Sequence, residues 1–203
     1  MMTVKQPEQT RKTILEAAFS QIYRKGFRSA SLNQILDETG LTKGALYHHF
    51  PNKKALGLAI IDEMLEQSVK THFLDPLKEW DNPVDGLKDI FGKAFSMLGE
   101  DEVMHGCPLN NLALEMSPVD ESFQMRLKNI YQSWSDGFAQ ALRQGQERGF
   151  VNPRVEADDA ASFLVASLAG CRSIAKSSRS VELMHSCKRG LVVFVESLRA
   201  DTA

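Results

Sequence analysis

The 203 residues, 43% hydrophobic and 25% charged, are enough for a sizeable apolar core without disulfides or metal. Three widely spaced cysteines, an odd number, argue against a secreted disulfide framework, and no C-x-x-C pair suggests zinc. No stretch reaches the roughly 20 apolar residues a membrane helix needs; the polar start MMTVKQPEQTRK lacks a signal-peptide core, so the cytoplasm is the expected compartment, without membrane contact.

Apolar residues recur at helical spacing nearly throughout, and no segment sustains period-two alternation. An all-α fold of about nine helices is therefore expected: a three-helix head, residues 1–54, and a larger helical body, residues 55–203. Ile14, Ala18 and Ile22, with Leu15 and Phe19 beside them, mark a first helix over Thr10 to Lys25, stopped by Gly26. Ser31 suits the N-cap of a short helix through Thr39 whose Leu32, Ile35 and Leu36 face inward. Gly40 ends that helix, and Thr42 caps a third running to Phe50. Pro51-Asn52 breaks the chain before a connecting helix from about 53 to 73.

Pro76 and Pro83 punctuate the next connection, before a helix from about Val84 to Leu98 and a loop through Gly106. A short helix over Pro108 to Met116 follows, then the longest pattern, Asp120 to Arg148, closed by Gly149 and Pro153. Helices near Glu156–Ala175 and Val181–Arg199 complete the body.

Two short helices joined by a Gly-containing turn, here Thr39-Gly40-Leu41, are the arrangement that places a second helix in the DNA major groove. On a helical wheel starting at Thr42, Leu46 and Phe50 face inward, with Ala45 and His49 on the edge of that side. Lys43, Gly44, Tyr47 and His48 face away, about 100° to 240° from Thr42. Such a face fits a groove: Gly44 permits close approach, Lys43 reaches guanine or phosphate, and Tyr47 and His48 donate hydrogen bonds. Lys53 is placed for a backbone phosphate, and Ser31 can cap its helix and touch another. Arg11 and Lys12 either reach a phosphate or are simply solvated. Residues 1–54 carry a net charge of +5 and the remainder −7, which suits a polyanion held at one end. An ordinary helical hairpin with a surface aromatic is the competing explanation of the same spacing.

The run T-x-x-x-I-L-x-A-A from Thr10 to Ala18, the Gly26-Phe27 stop, and L-T-K-G-A-L-Y-H-H-F-P-N-K-K-A-L from Leu41 to Leu56 resemble the N-terminal domain of the tetracycline-repressor (TetR) family. The resemblance implies a homodimeric transcriptional regulator, a repressor in most cases. Its head would bind palindromic double-stranded operator DNA, and its body would hold a small-molecule inducer pocket and the dimer interface. By position, Lys43, Gly44, Ala45, Tyr47, His48 and His49 become recognition-helix candidates, with Lys53 and Ser31 for phosphate. Ala45 and His49 rest on the resemblance alone.

In the body, Ala160, Ala161, Ala166, Ala169 and Gly170 allow close helix approach. The last helix offers more apolar surface than one solvent-facing helix needs, so the two are expected to form an isologous interface. Phe91, Phe95, Met104, Met116, Trp134 and Phe138 are pocket candidates, or ordinary core; the inducer is not named by the sequence. Cys107, in H-G-C-P-L-N-N-L, precedes a helix start and follows His105, a setting that favours thiolate. The region is similar to that of family members sensing electrophiles or oxidants, while a small residue fitting a tight cap is the simpler explanation of Cys107. Cys171 and Cys187 read as packing.

No G-x-G-x-x-G, Walker loop, G-x-S-x-G or H-E-x-x-H occurs, so neither catalysis nor a cofactor or metal is expected. A DNA-binding module whose body recruits proteins and takes no small ligand is the remaining alternative.

Overall fold

The computed structural model describes residues 7–96 and 98–201. The chain divides into two compact units, residues 1–66 with 111–127 and residues 67–110 with 128–203. The main helices are α1 (Pro7–Lys25), α2 (Leu32–Thr39), α3 (Lys43–His49), α4 (residues 53–77), α5 (Pro83–Ser96), α6 (Pro108–Met116), α7 (Glu121–Glu147), α8 (Ala157–Ser178) and α9 (Val181–Ser197). Among the described residues there is no strand, only an isolated bridge between Val151 and Arg199. No described helix is long and apolar enough to cross a membrane.

In the first unit, Ile14, Leu15, Ala18 and Ile22 put one stripe of α1 into the core, where they meet Ile35 and Leu36 of α2 and Leu46 of α3. Phe50, Leu56 and Ile60 close it. α1 begins at Pro7 rather than Thr10; proline lacks the N–H that a first helical turn leaves unpaired anyway. Gly26 ends it at φ +85°, and a Cβ there would also sit 3.0 Å from a Glu115 carboxylate oxygen. Glycine is required at this turn.

α4 is not uniformly α-helical. Its turns Ile61–Leu65 and Lys70–Leu74 are π-type, the Glu66 N–H reaching the Ile61 carbonyl and the Asp75 N–H that of Lys70. α7 starts under Asp120, whose carboxylate accepts the Ser122 N–H at 2.9 Å. That closes the N-terminus of the longest helix.

The second unit is built around α5, α8 and α9. Lys88 pairs with Glu196 at 2.7 Å and Asp85 with Arg199 at 2.6 Å, tying α5 to the end of α9. Phe163 of α8 meets Phe194 of α9 with ring centroids 4.5 Å apart. A six-residue helix, Glu100–His105, occupies part of the segment read from the sequence as loop. Its Glu102 carboxylate accepts the Gly99 N–H at 2.9 Å, and three acids in its first turn complement the helix N-terminus.

Candidate nucleic-acid interface

The geometry of α2 and α3 follows from three local choices. Gly40 takes φ +64°, and its N–H returns to the Leu36 carbonyl at 2.8 Å, so the chain reverses without an unpaired donor. Thr42 then accepts the Ala45 N–H on its hydroxyl at 3.2 Å, starting α3 at Lys43. Leu46 is fully buried and Phe50 nearly so, and these two anchor the short helix against the core.

With that face fixed, Lys43, Gly44, Tyr47 and His48 are exposed, and Ala45 and His49 are half-buried. The faces divide as the helical wheel divides them. Tyr47 is half exposed, at 50% of its surface, a large aromatic that the head does not use for its own packing. A Cβ on Gly44 would meet only the Thr42 hydroxyl, at 3.8 Å. Nothing within the fold therefore demands glycine there. The His48 and His49 rings meet edge-on at 5.1 Å, and no group of three or more His, Cys, Asp or Glu among the described residues is arranged for a metal ion.

Of the flanking candidates, Ser31 departs from its sequence reading, and Lys53 and Arg11 make contacts within the fold. Ser31 holds the extended backbone of an N-cap, but its side chain makes no capping bond, so the cap expected there is absent. The working cap lies elsewhere: Asn52 accepts the Ala55 N–H at 2.8 Å and opens α4. Lys53 is half-buried; its Nζ donates to the Arg28 carbonyl at 3.1 Å and stands 5.1 Å from the centre of the Phe27 ring. Burial lowers its pKa, and the nearby Glu115 charge opposes that shift. Arg11 is paired with Glu63 and lies 5.0 Å over the Phe50 ring, so its guanidinium is engaged within the fold.

Glu115 was not singled out by sequence reasoning. From α6 its two carboxylate oxygens accept the backbone N–H groups of Phe27, at 2.7 Å, and Arg28, at 2.8 Å. Beside this clamp the Phe27 ring packs on Phe123 at 4.8 Å, and both rings lie over Gly57. Lys54 adds an ion pair to Asp120 at 2.7 Å. The loop leading into α2 is thus held by α4, α6 and the start of α7.

Phe91, Phe95, Trp134 and Phe138 are buried in the second unit, with Trp134 against Phe73 at 4.5 Å and Phe138 at 6.2 Å. The Trp134 indole nitrogen is buried without a hydrogen-bond partner. Met116 is buried within the first unit, and Met104 is 37% exposed. A cleft of about 640 Å³ elsewhere in the second unit is lined by Asn110, Tyr131 and Ser135 on one side and Ala166, Ala169 and Gly170 on another. Cys107 is buried at the start of α6. The His105 Nδ1 is bonded to the Asp101 carbonyl, at 2.7 Å, within its own helix. Around the thiol, Arg172 donates to the Gly106 carbonyl at 2.6 Å. Burial, and after it Cys107, raises the Tyr131 pKa.

Residues 14–60 match the family described as bacterial regulatory proteins, tetR family. Residues 83–190 match the one described as transcriptional regulator LmrA/YxaF-like, C-terminal domain. The chain is 34% identical over 134 residues to an uncharacterized HTH-type transcriptional regulator in the lacX 3' region of Lactococcus lactis subsp. lactis, covering 66% of this chain and 68% of that protein. It is 25% identical over 195 residues to the HTH-type transcriptional repressor DhaR of Mycobacterium sp. (strain GP1), covering 95% and 93%. A TetR-family regulator from Agrobacterium tumefaciens has the same fold, with a TM-score of 0.83 at 22% identity over 96% of this chain and 100% of that one. With an exposed polar face on a capped second helix and matches over both halves, the chain belongs to the TetR family of bacterial DNA-binding transcriptional regulators.

Proposed function

We propose that this chain represses transcription by binding a palindromic operator as a homodimer, with α3 in the major groove, and that a small inducer releases it. The observation that carries the reading is α3 itself. Its Lys43, Gly44, Tyr47 and His48 are exposed on a helix that Thr42, Leu46 and Phe50 hold rigidly. Lys43 reads guanine or meets phosphate, Gly44 lets the backbone approach, and Tyr47 and His48 donate to base edges or phosphates. Ala45 and His49 take part at the edge of the contact, and Ser31 and Lys53 meet the backbone.

Dimerisation is assigned to α8 and α9, which expose Phe163, Ile174 and Val193. An isologous contact would bury these large apolar groups. The inducer is assigned to the aromatic group of Phe91, Phe95, Trp134 and Phe138, where the unpartnered Trp134 N–H favours a mostly apolar compound bearing one acceptor. Cys107 remains the alternative point of release, through a reactive electrophile or oxidant. By linkage, either agent must favour the form that does not bind DNA.

Selection of bound duplexes from a random DNA pool tests the reading. The expected result is an enriched palindrome with half-sites about one helical turn or somewhat more apart. Enrichment of nothing, or of an asymmetric site bound by one chain, would overturn it. Comparing quinone-treated wild type with Cys107→Ser then separates the two routes of release: an identical response removes Cys107.

A further inference from the structure

A second cleft, of about 630 Å³, lies within the second unit between the end of α4, the short connection into α5 and one face of α7. Two close approaches frame it. A Cβ on Gly137 would stand 2.6 Å from the Leu74 Cδ2, and one on Gly145 would stand 2.5 Å from the Pro83 ring. The two glycines are about 12 Å apart along α7, and between them Gln140, Ala141 and Gln144 line the cleft. Trp134 and Phe138, of the aromatic group assigned to the inducer, each lie about 100° round the helix from this stripe. The cleft therefore uses a different face of α7. Its volume falls within the range of small-molecule sites, about 300–1,000 Å³.

Trp80, in the connection between α4 and α5, also lines the cleft and keeps 41% of its surface exposed, whereas Trp134 is buried. Its base is fixed on α5: a Cβ on Gly86 would lie 2.9 Å from the Trp80 Cγ. The charges around the cleft cancel, three basic residues against three acidic ones. Asp75 pairs with Lys78 at 2.7 Å and Asp81 with Arg148 at 3.3 Å, while Asp136 accepts the Gln132 amide at 2.8 Å. Gln140 and Gln144 are exposed one turn apart.

We infer that this cleft is a second small-molecule site and that its ligand is a neutral pyranose sugar or glycoside. The negative π face of an indole attracts the polarised C–H groups on one side of a sugar ring. Cancelling charges give no net attraction for an anion or a cation. Carboxylates only accept hydrogen bonds, and amides accept and donate, so these walls suit a ring dense in hydroxyls, each able to do both. The two ion pairs are exposed and contribute little by themselves, so their carboxylates are free to turn toward a ligand hydroxyl. The inference rests neither on the operator nor on the inducer assigned to the aromatic group.

The test is saturation-transfer NMR on the full chain without DNA. The probes are the methyl pyranosides of glucose, galactose, mannose and xylose, each up to about 10 mM, ten times a Kd of about 1 mM. Methyl glucuronide, methyl glucosaminide and adenosine serve as charged and aromatic controls. At least one neutral pyranoside should receive saturation, strongest at the C–H groups of one ring face, and bind more tightly than every control. Trp80→Ala should weaken that binding about tenfold. Because this variant also strips packing from Gly86, Gln140→Ala combined with Gln144→Ala is the companion: it changes only exposed groups and should weaken binding at an unchanged melting temperature. No transfer to any neutral pyranoside would overturn the inference. So would undiminished binding in both variants, or tighter binding of a charged sugar or of adenosine.

Discussion

Glu115 accepts the backbone N–H of Phe27 at 2.7 Å across 88 residues of sequence, while its other oxygen takes the N–H of Arg28. These are two adjacent backbone donors in the turn that follows α1, and a carboxylate is the side chain able to accept both at once. Glu115→Ala strands them beside a half-buried site. The expected cost is about 1–3 kcal/mol of stability by urea unfolding. Glu115→Gln, which keeps one accepting oxygen, should fall between wild type and Ala. Equal stability of all three proteins would show that water replaces the clamp without loss.

Two glycines make a contrasting pair. A Cβ on Gly44 meets open space apart from the Thr42 hydroxyl, so Gly44→Ala should leave stability unchanged or raise it by about 0.5–1 kcal/mol. The same methyl group stands where DNA would approach, and operator affinity should fall about tenfold, a loss of roughly 1.4 kcal/mol. Gly57→Ala puts a carbon 2.4 Å from the Phe27 ring and 2.8 Å from that of Phe123. Overpacking there should cost about 1–3 kcal/mol of stability. Thermal melts and binding titrations on both variants separate a contact residue from a packing residue. If Gly44→Ala keeps full affinity, the backbone does not approach DNA at that point.

How far the sequence could be read depends on the range of each interaction. Helices α1, α2 and α3 were legible because their apolar spacing, Gly40 and Thr42 act within a few residues. The exposed face of α3 followed from the wheel, since Leu46 and Phe50 fix a short helix's orientation by themselves. The Glu115 clamp was not legible, because no local pattern links a carboxylate on α6 to amides at the end of α1. Lys53 was read only as a phosphate contact, because nothing local shows that the fold brings Phe27 and the Arg28 carbonyl beside it. Helix Glu100–His105 escaped because one buried residue, Val103, gives no periodicity to detect. Ser31 shows the converse: a suitable residue in a suitable backbone that nonetheless makes no capping bond.

The α5–α9 connection carries a pH dependence. Arg199 first, and Lys88 after it, hold the Glu196 carboxyl at about 2, below its ordinary 4.5. A depressed folded-state pKa contributes stability that is fully present above about 4.5 and disappears as the pH falls toward about 2. Glu196→Gln should therefore lower the urea midpoint relative to wild type at about pH 7, with the gap closing across that acid window. A gap that persists undiminished below the window would assign the effect to geometry rather than charge.

Lys53 has two roles to separate, because its Nζ already bonds the Arg28 carbonyl while its stem and charge lie against the Phe27 ring. An ammonium has three donors, so one internal bond leaves two for a DNA phosphate. Removing a phosphate contact should reduce the slope of log affinity against log salt by about 0.9 on duplex DNA. Lys53→Ala would also strip the stem from Phe27, which confuses binding with stability. Lys53→Met keeps most of that packing and removes only the charge. The expected result is the same loss of slope in both variants, with a measurable loss of stability confined largely to Ala. If Lys53→Met leaves the slope unchanged but lowers stability, Lys53 is a strut beneath the loop entering α2 and makes no phosphate contact.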